Sequence, residues 1–418
     1  MRVLLVLVLA LACERAPERD RFTLRIARAG DLPAITPDVS AAKVASIAQN
    51  WVFEPLVRVD AAGALASSLA DSFQRLDRLR YRMHLRPGAA FSDGSQVTLA
   101  EVTASLAIHH LAVIPDSASF IVESQDPSIP TDVLLIRALV FARRGDRAIG
   151  TGPFAVRSQS ETSATLERLH AEPRRVERVI LDSYPTPRDA FAHTLRGDAD
   201  LLADVQPRDV EFFENVPRLQ IVRGAAIHFA AATMNPKLSL ADRRGIGAAL
   251  NGPISGHLAY GDECKPLREG LPRALPPGPT LRVLAIPAEE RTALAVRRAL
   301  GARGGPVQLV EATELLRRMQ GRDFDVAIAR PLSWPPSSWV LLWRTGSPDN
   351  LFRYSNPIVD GALDKGDWAA ARAALEDDPP AVFLCSLSRI AVIDARIKDP
   401  QLGPYDILES LPQWETSE

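Results

Sequence analysis

The most regular alternation of hydrophobic and polar residues lies at positions 79–86, where the chain has the sequence LRYRMHLR. A period of two places apolar side chains on one face of a β-strand and charged side chains on the other. We therefore predict a half-buried strand here. Pro87-Gly88 ends this strand, and Asp93-Gly94 supplies a tight turn shortly afterwards.

A helix is predicted to begin after this turn. Thr98 and Glu101 have the spacing of a capping box, in which the hydroxyl and the carboxylate satisfy free amides at the helix start. The apolar residues that follow lie along one helical face: Leu99, Val102, Leu106 and Leu111. We interpret Ser92-Asp93-Gly94 as a structural turn and not as a catalytic site.

Strand and helix patterns alternate along most of the remaining chain. Strands are predicted at 22–28, 176–184, 201–202, 281–286, 307–310, 324–329 and within 381–396, and helices at 41–56, 187–196, 288–300 and 313–319. The region 280–330 has the clearest order, strand-helix-strand-helix-strand, which predicts a sheet with helices on its faces. The pattern is least clear at 106–150.

The first thirteen residues have the features of an export signal. Met1-Arg2 precedes an apolar run of about ten residues, which is too short to span a bilayer as a helix, and Cys13 follows at once. This arrangement resembles a bacterial lipobox, although Leu11 and Ala10 differ from the usual residues there. We expect an exported protein, either lipid-anchored at Cys13 through a tether at 14–20 or cleaved after Ala12 to leave a free cysteine.

Composition narrows the class of protein. Lysine and arginine total 49 against 51 acidic residues, and the formal net charge of −2 argues against a nucleic-acid partner. A chain of 418 residues exceeds the usual size of one hydrophobic core, so two or three domains are expected. If Cys13 is lipidated, Cys264 and Cys385 either form a disulfide in an oxidising compartment or remain buried thiols.

We find no sequence motif of an enzyme. The chain has no HExxH motif, no GxSxG elbow and no GxGxxG following a strand, and its seven histidines do not have the spacing of metal ligands. The segment 150–152 (GTG) lacks the Lys-Ser/Thr end of a phosphate-binding loop, so we interpret it as a turn. We therefore expect no catalytic activity, no cofactor and no metal site.

Four segments, taken in order, resemble the family 5 extracellular solute-binding proteins, which are the peptide- and nickel-binding receptors of ABC importers. The first and most specific segment, residues 51–106, contains Phe53-Glu54-Pro55-Leu56, Asp60 to Gly63, Ser68-Leu69-Ala70, Leu85-Arg86-Pro87-Gly88 and Phe91-Ser92-Asp93-Gly94. The other three are GTGPF at 150–154, the strand that ends in Asn235, and NPIVD at 356–360. The resemblance covers about residues 22–395.

The resemblance implies an α/β, two-lobed, periplasmic-binding-protein-like (type II) fold with a reduced extra domain. After a signal peptide at 1–12 and the tether at 13–20, the first lobe would comprise 21–48, 150–235 and 387–418. Residues 49–149 would form a reduced insertion domain, in which the stretch 106–150 is about half the length of the corresponding part of the family. The second lobe would comprise 236–386.

The resemblance also implies a function. Such a protein captures a peptide-like or other small solute between its lobes and delivers it to a permease in the inner membrane. The alternative is a non-transporting cell-envelope protein that kept the fold and lost the ligand site. A hydrolase would need a nucleophile with a base, and a transcriptional sensor would need an N-terminal helix-turn-helix.

Family position implies these ligand-binding residues: Thr36, Pro37, Asn235, Ser333 and Trp334. In peptide-binding members an aspartate pairs with the amino terminus of the peptide, and Ser333 occupies that position here. A hydroxyl cannot neutralise a buried ammonium, which makes a free-amine peptide a poor candidate ligand. Trp334 is expected in the cleft, whereas Trp339 and Trp343, four residues apart, are expected to fill the core.

Overall fold

A computed structural model of the chain describes residues 22–37, 47–60, 64–127, 129–203, 205–224, 228–251, 253–267, 271–330, 339–347, 349–403 and 407–417. Cys13, Ser333 and Trp334 lie outside these residues, so the predictions made for them are not tested by the structure. A search of the described residues finds no helix with the length and apolar character needed to cross a membrane.

The strands follow one another along the chain. They are β1 Thr23–Ala29, β2 Val57–Val59, β3 Leu65–Ser67, β4 Ala70–Arg75, β5 Arg80–Leu85, β6 Leu111–Asp116, β7 Ser119–Ser124, β8 Phe141–Arg144, β9 Arg147–Gly150, β10 Phe154–Gln159, β11 Ser163–Arg168, β12 Arg178–Tyr184, β13 Leu201–Leu202, β14 Leu219–Arg223, β15 His228–Met234, β16 Lys265–Pro266, β17 Leu281–Ala285, β18 Gly304–Leu309, β19 Val326–Ala329, β20 Ala381–Leu387, β21 Ile390–Asp394, β22 Ile397–Lys398 and β23 Glu415–Thr416.

The α-helices alternate with these strands. They are α1 Gln49–Val52, α2 Leu99–Ala107, α3 Thr131–Leu135, α4 Pro187–Arg196, α5 Leu240–Ala249, α6 Pro253–Tyr260, α7 Glu290–Ala299, α8 Ala312–Gln320, α9 Trp339–Trp343, α10 Pro357–Asp364 and α11 Trp368–Asp377.

In the described part of the chain, seven strands form a first sheet in the order β10-β11-β12-β1-β13-β21-β14. β1 pairs in parallel with β12 and β13. Helix α4 packs on this sheet, and it has the predicted bounds because Thr186 caps its start and Gly197, at a φ of 92°, ends it. The completely buried residues Leu24, Ile26 and Phe154 belong to the core of this sheet.

Six described strands form a second sheet in the order β16-β20-β15-β19-β17-β18. β17 pairs in parallel with β18 and β19, and helices α7 and α8 lie between these strands in the chain. The predicted strand-helix-strand-helix-strand order at 280–330 is therefore confirmed. The α/β fold class is confirmed as well.

The chain crosses between the two sheets twice. It leaves the first sheet between β14 and β15 and returns between β20 and β21. The two crossings are neighbours, because the Gly224 amide donates a hydrogen bond to the Arg389 carbonyl at 2.9 Å. One predicted boundary needs correction: residues 228–234 were assigned to the first lobe, but β15 pairs with β19 and β20 in the second sheet.

Residues 49–149 contribute a separate sheet, in the order β4-β5-β7-β6, with α2 beside it and the hairpin β8-β9. The core of this inserted domain is continuous with apolar residues of the second lobe, such as Leu315 and Trp343. An ion pair also joins them, with Arg137 Nη1 2.5 Å from Asp349 Oδ2. The inserted domain thus contacts the second lobe directly.

The local predictions in this domain have mixed outcomes. The capping box is confirmed, since the Glu101 amide donates to Thr98 Oγ1 and the Thr98 amide donates to Glu101 Oε2. The helix ends at Ala107, however, so Leu111 belongs to strand β6 and not to the helix. His110, at a φ of 57°, lies between the two elements and reverses the chain.

The helix predicted at 41–56 extends too far. Within the described residues it ends at Val52, and Pro55 forms an extended bridge to Leu139. A proline disfavours the helical conformation of the residue before it, here Glu54. The chain therefore leaves the helix before strand β2.

The turn at 150–152 packs tightly against α1. A Cβ atom on Gly150 would lie 1.8 Å from the Val52 carbonyl oxygen, and one on Gly152 would lie 2.3 Å from the Trp51 carbonyl oxygen. Only glycine permits this approach. The interpretation of GTG as a structural turn is confirmed by this packing.

Two further expectations are resolved in the second lobe. Cys264 and Cys385 form a disulfide with a Cα–Cα distance of 5.2 Å, which decides between the two alternatives left open by the sequence. Trp343 is 2% exposed and Trp339 packs against the same core cluster, so their predicted structural role is confirmed.

Candidate ligand cleft

The carboxyl ends of the parallel strands of the two sheets approach each other. Gly30 follows β1 in the first sheet, and Glu311 follows β18 in the second. A Cβ atom on Gly30 would lie 3.8 Å from Glu311 Oε2. Ligands of open α/β sheets bind outside the carboxyl ends of the strands, so the space around this approach is the candidate cleft.

The wall of the first lobe is the loop at 30–37. Gln159 of β10 holds this loop, since its Oε1 accepts a hydrogen bond from the Ile35 amide at 3.2 Å and its Nε2 donates one to the Pro33 carbonyl at 3.1 Å. Gln49 Nε2 donates to the Thr36 carbonyl. The loop therefore presents an ordered backbone next to the carboxyl end of β1.

The wall of the second lobe contains a buried polar cluster. Glu289 follows β17, is 4% exposed, and its Oε1 lies 2.6 Å from Arg330 Nε, directly after β19. Tyr260 donates a hydrogen bond to Glu289 Oε2 at 2.6 Å, and Thr292 Oγ1 lies 2.8 Å from the same oxygen. Burial and the neighbouring Glu289 carboxylate raise the pKa of Tyr260, so its hydroxyl stays protonated and donates.

This cluster positions one cation at the cleft. The Arg330 side chain is 30% exposed while its partner Glu289 is almost completely buried. Arg330 also lies over the Tyr260 ring, with 5.9 Å between its guanidinium carbon and the ring centroid. The guanidinium is thus held from behind by Glu289 and Tyr260, and part of it faces solvent.

Comparison with known proteins gives fold similarity only. No protein-family model matches the chain, and no curated protein matches it. Among solved structures, the oligopeptide-binding protein AppA from Bacillus subtilis, in complex with a nonapeptide, has a TM-score of 0.79 and 16% identity, covering 95% of this chain and 100% of AppA. NikA from Staphylococcus aureus, in complex with Ni(L-His)2, has a TM-score of 0.77 and 12% identity, covering 93% and 98%.

A third similar structure is AgaA from A. tumefaciens R10 in complex with agropinic acid, with a TM-score of 0.78 and 16% identity, covering 95% of this chain and 99% of AgaA. This chain has the fold of the family 5 solute-binding proteins. The three similar structures hold a nonapeptide, a nickel–histidine complex and agropinic acid, so the fold alone does not select a ligand.

The structure places only some of the predicted site residues of the solute-binding-protein fold near the cleft. Thr36, half-buried, and Pro37, buried, lie at the described end of the loop at 30–37. Their contact with a ligand stays a prediction. Ser333 and Trp334 follow Arg330 in the chain, outside the described residues.

Asn235 lies elsewhere, and its prediction needs correction. Its Nδ2 donates to the carbonyls of Arg322 and Phe324, at 3.0 and 2.6 Å, and its Oδ1 accepts from the Lys237 amide at 3.0 Å. These partners lie at the amino end of β19, opposite the end that carries Arg330. Asn235 therefore stabilises a turn and does not line the cleft.

Sequence reasoning missed Glu289 and Arg330. Each follows a predicted strand within a few residues, and polar residues at the carboxyl ends of parallel strands are candidates for ligand contact. Their position after predicted parallel strands was the sequence signal that could have identified them. Their pairing depends on how the residues between them fold as α7, β18, α8 and β19, which neither local pattern reveals.

The described residues contain no cluster of three or more histidine, cysteine, aspartate or glutamate side chains able to hold a metal ion. Asp93, in the FSDG segment, serves the turn as predicted. Its Oδ1 accepts from the Ser95 amide at 2.9 Å, and its Oδ2 lies 2.9 Å from Arg144 Nε. Hydrogen bonds from Ser95 and Arg144 lower the pKa of Asp93 to about 2, as expected of a carboxylate in a stable turn.

Proposed function

We propose that this protein is the solute-binding receptor of an ABC importer and holds a small solute or a peptide-like ligand between its two lobes. The observation that carries the proposal is the arrangement of the two sheets. They are joined by neighbouring crossings at Gly224 and Arg389, and the carboxyl ends of their parallel strands approach at Gly30 and Glu311. Paired crossings of this kind support hinge closure around a ligand.

Closure would be a shift between open and closed populations. A ligand favours closure only by binding the closed state more tightly, through contacts with both walls at once. The ordered loop at 30–37 and the cluster of Glu289 and Arg330 offer such contacts from opposite lobes. The proposed ligand-contacting residues are Thr36, Pro37, Ser333 and Trp334.

The charge of the cleft residues limits the ligand. Arg330 carries the positive charge found in the cluster, and Glu289 faces it from the buried side. Ser333 offers no carboxylate for an ammonium group. We therefore propose a ligand that is not anchored through a free amino terminus, such as a small solute with hydrogen-bond acceptors for Arg330.

We also propose that the protein acts outside the cytoplasm, anchored through a lipid on Cys13. The disulfide between Cys264 and Cys385 supports an oxidising compartment, because thiols stay reduced in the cytosol of most organisms. In a bacterial host, globomycin should cause an unprocessed form to accumulate. A processed protein with unmodified Cys13 would refute the anchor and leave export in place.

A second candidate is a cell-envelope protein that does not transport. The continuous core between the inserted domain and the second lobe favours it, because this contact opposes opening of the cleft. The two candidates differ in whether a ligand stabilises the protein. Mass spectrometry of small molecules released from the purified protein, followed by a thermal shift with each, distinguishes them.

The cleft itself is tested by two variants measured by calorimetry. Trp334→Ala should weaken binding of the released solute, and Ser333→Asp should create affinity for peptides with a free amino terminus. A buried charged hydrogen bond contributes about 1.5–3 kcal/mol, roughly ten- to a hundredfold in affinity. Ile358→Ala, at a residue that is 73% exposed on α10, is the control and should leave binding unchanged. Tight binding of free-amine peptides by the wild-type protein would contradict the assignment of Ser333.

A further inference from the structure

A cavity of about 410 Å³ lies between the inserted domain and the C-terminal segment of the first lobe, outside the candidate cleft. Its described lining comes from three parts of the chain: residues within 50–60 together with Ser68, then Pro153, and residues within 401–403 and 409–413. The lining includes no residue of the loop at 30–37 and neither Glu289 nor Arg330, so the cavity is a separate site. Its volume is within the range of pockets that bind small molecules, and its position between the inserted domain and the C-terminal segment is typical of such pockets.

Glu409 is the unusual residue of this cavity. Its side chain is half-buried, and no hydrogen bond or ion pair reaches its carboxylate within the part of the chain that the structure describes. A buried carboxylate without a partner is destabilising, so such groups in native proteins call for an explanation. Burial raises the pKa of Glu409 to about 6, and the more distant Arg58 lowers it only in part.

The other charged residues of the cavity already have partners. Glu54 pairs with Arg86 at 2.9 Å, and Asp60 Oδ1 accepts from the Ala64 amide at 2.9 Å. Arg58 donates through Nε to the Ser67 carbonyl at 3.3 Å. Because Arg86 neutralises Glu54, Glu409 is the lining carboxylate to which the described residues donate no hydrogen bond. A cation placed beside Glu409 would supply the missing partner.

The remaining lining suits the carbon skeleton of a small organic molecule. Apolar surface comes from Pro55, Val59, Pro153, Leu402 and Pro412. Asn50 of α1 adds an amide to the same lining. A ligand with one ammonium group and an aliphatic body would match both parts of the cavity.

We propose that this cavity binds a small organic amine, with the Glu409 carboxylate as the acceptor for its ammonium group. The ammonium would supply the hydrogen bonds and the opposite charge that Glu409 lacks, and the apolar lining would cover the aliphatic body. A metal ion is less suitable, because the described residues offer no cluster of three or more ligands here. The proposal does not depend on the function of the cleft.

The test uses n-hexylamine as the probe, with 1-hexanol and hexanoate as matched compounds, and calorimetry on the full-length protein at pH 7.5. We expect the amine to bind and the other two compounds to bind at least tenfold more weakly. Glu409→Gln, which keeps the shape of the side chain, should weaken amine binding about tenfold or more. Glu415→Gln, on the same segment but outside the cavity, is the control and should bind like wild type.

Two further measurements complete the test. Amine affinity should fall as the pH drops through about 6, where Glu409 becomes protonated, and the Gln variant should lack this dependence. Thermal melting establishes that both variants are folded. No amine binding at millimolar concentration, equal binding of hexanol, or equal binding by the Glu409→Gln variant would each overturn the proposal.

Discussion

At the scale of single residues, the same chemical group behaves differently according to its partners. Hydrogen bonds from Ser95 and Arg144 lower the pKa of Asp93 to about 2, because they stabilise the ionised form. Burial without a partner raises the pKa of Glu409 to about 6, because it destabilises the ionised form. Asp93 therefore serves its turn over a wide pH range, whereas Glu409 imposes a cost near neutral pH.

Glu409→Gln should stabilise the protein near neutral pH. The pKa of Glu409 is about 6 in the folded protein against 4.5 for the ordinary group, so the folded state binds its proton more tightly. Glu409 therefore contributes fully to the free energy of unfolding below about pH 4.5. This contribution is lost as the pH rises through about 6, which lowers the free energy of unfolding by about 2 kcal/mol in total. Urea unfolding at pH 4.5 and 7.5 checks the difference between variant and wild type.

The control for this measurement is Glu415→Gln, because the Glu415 side chain is 57% exposed and lies 3.5 Å from Arg175. It should change the pH dependence little. If the wild-type protein and the Glu409→Gln variant lose equal stability between pH 4.5 and pH 7.5, folding does not raise the pKa of Glu409, and the inference is wrong.

At the scale of elements, close packing explains why glycine occupies positions 150 and 152, which a motif search could assign to a phosphate-binding loop. Gly150 and Gly152 lack a Cβ atom, and this allows the turn before strand β10 to pack directly against the carbonyl groups of α1. The disulfide likewise joins Cys264, the residue before β16, to Cys385 of β20 in the second sheet. Both features stabilise the frame on which the cleft depends.

Gly152→Ala should destabilise the protein by about 1–3 kcal/mol or more, because the new methyl would lie 2.3 Å from the Trp51 carbonyl oxygen and the backbone would have to move. Gly361→Ala is the matched control. Gly361 lies in α10 with no atom within 4 Å of the added carbon, so alanine should stabilise by up to about 1 kcal/mol. Denaturant midpoints measure both; a neutral Gly152→Ala would contradict the packing argument.

Removing the disulfide with Cys264→Ser and Cys385→Ser together should cost roughly 2–5 kcal/mol, because it frees a long loop in the unfolded chain. The two cysteines are separated by 121 positions. Wild type should lose similar stability when a reductant is added, and the double variant should be insensitive to it. Equal midpoints for oxidised and reduced wild type would show that the bond is not formed in solution.

At the scale of the whole molecule, the inserted domain packs against both lobes. Its core joins apolar residues of the second lobe, and Arg137 pairs with Asp349 across the contact. Other residues of the same segment, including Trp51 and Phe141, pack in the core of the first sheet. The proposed closure would therefore have to involve this domain as well as the two lobes.

Arg137→Ala should loosen the contact between the inserted domain and the second lobe. Asp349 is 12% exposed, so loss of its partner leaves a mostly buried charge, at a cost of about 1–3 kcal/mol. We expect a larger radius of gyration by X-ray scattering and a lower melting temperature. Adding Asp349→Asn should recover part of the stability, because the buried charge is removed; if it does not, the ion pair is not the stabilising contact.

Local sequence patterns determined much of the secondary structure of this protein. The Thr98–Glu101 capping box, helix α4 from Pro187 to Arg196 and the strand-helix order at 280–330 depend on neighbouring residues, whose signals are short-range. The fold was predicted from the order and spacing of the four segments that resemble the family 5 solute-binding proteins. The end of the helix before Pro55 also had a local signal, which was overlooked.

The contacts between residues that are far apart in the sequence could be read only from the tertiary structure. The assignment of β15 to the second sheet, the disulfide between Cys264 and Cys385, and the pairing of Glu289 with Arg330 all join residues that local patterns treat independently. Asn235 shows the same limit, because its hydrogen bonds to the backbone at Arg322 and Phe324 are set by strand pairing. Burial of Glu409 depends on three separate chain segments closing around one cavity, and no local sequence signal specifies that.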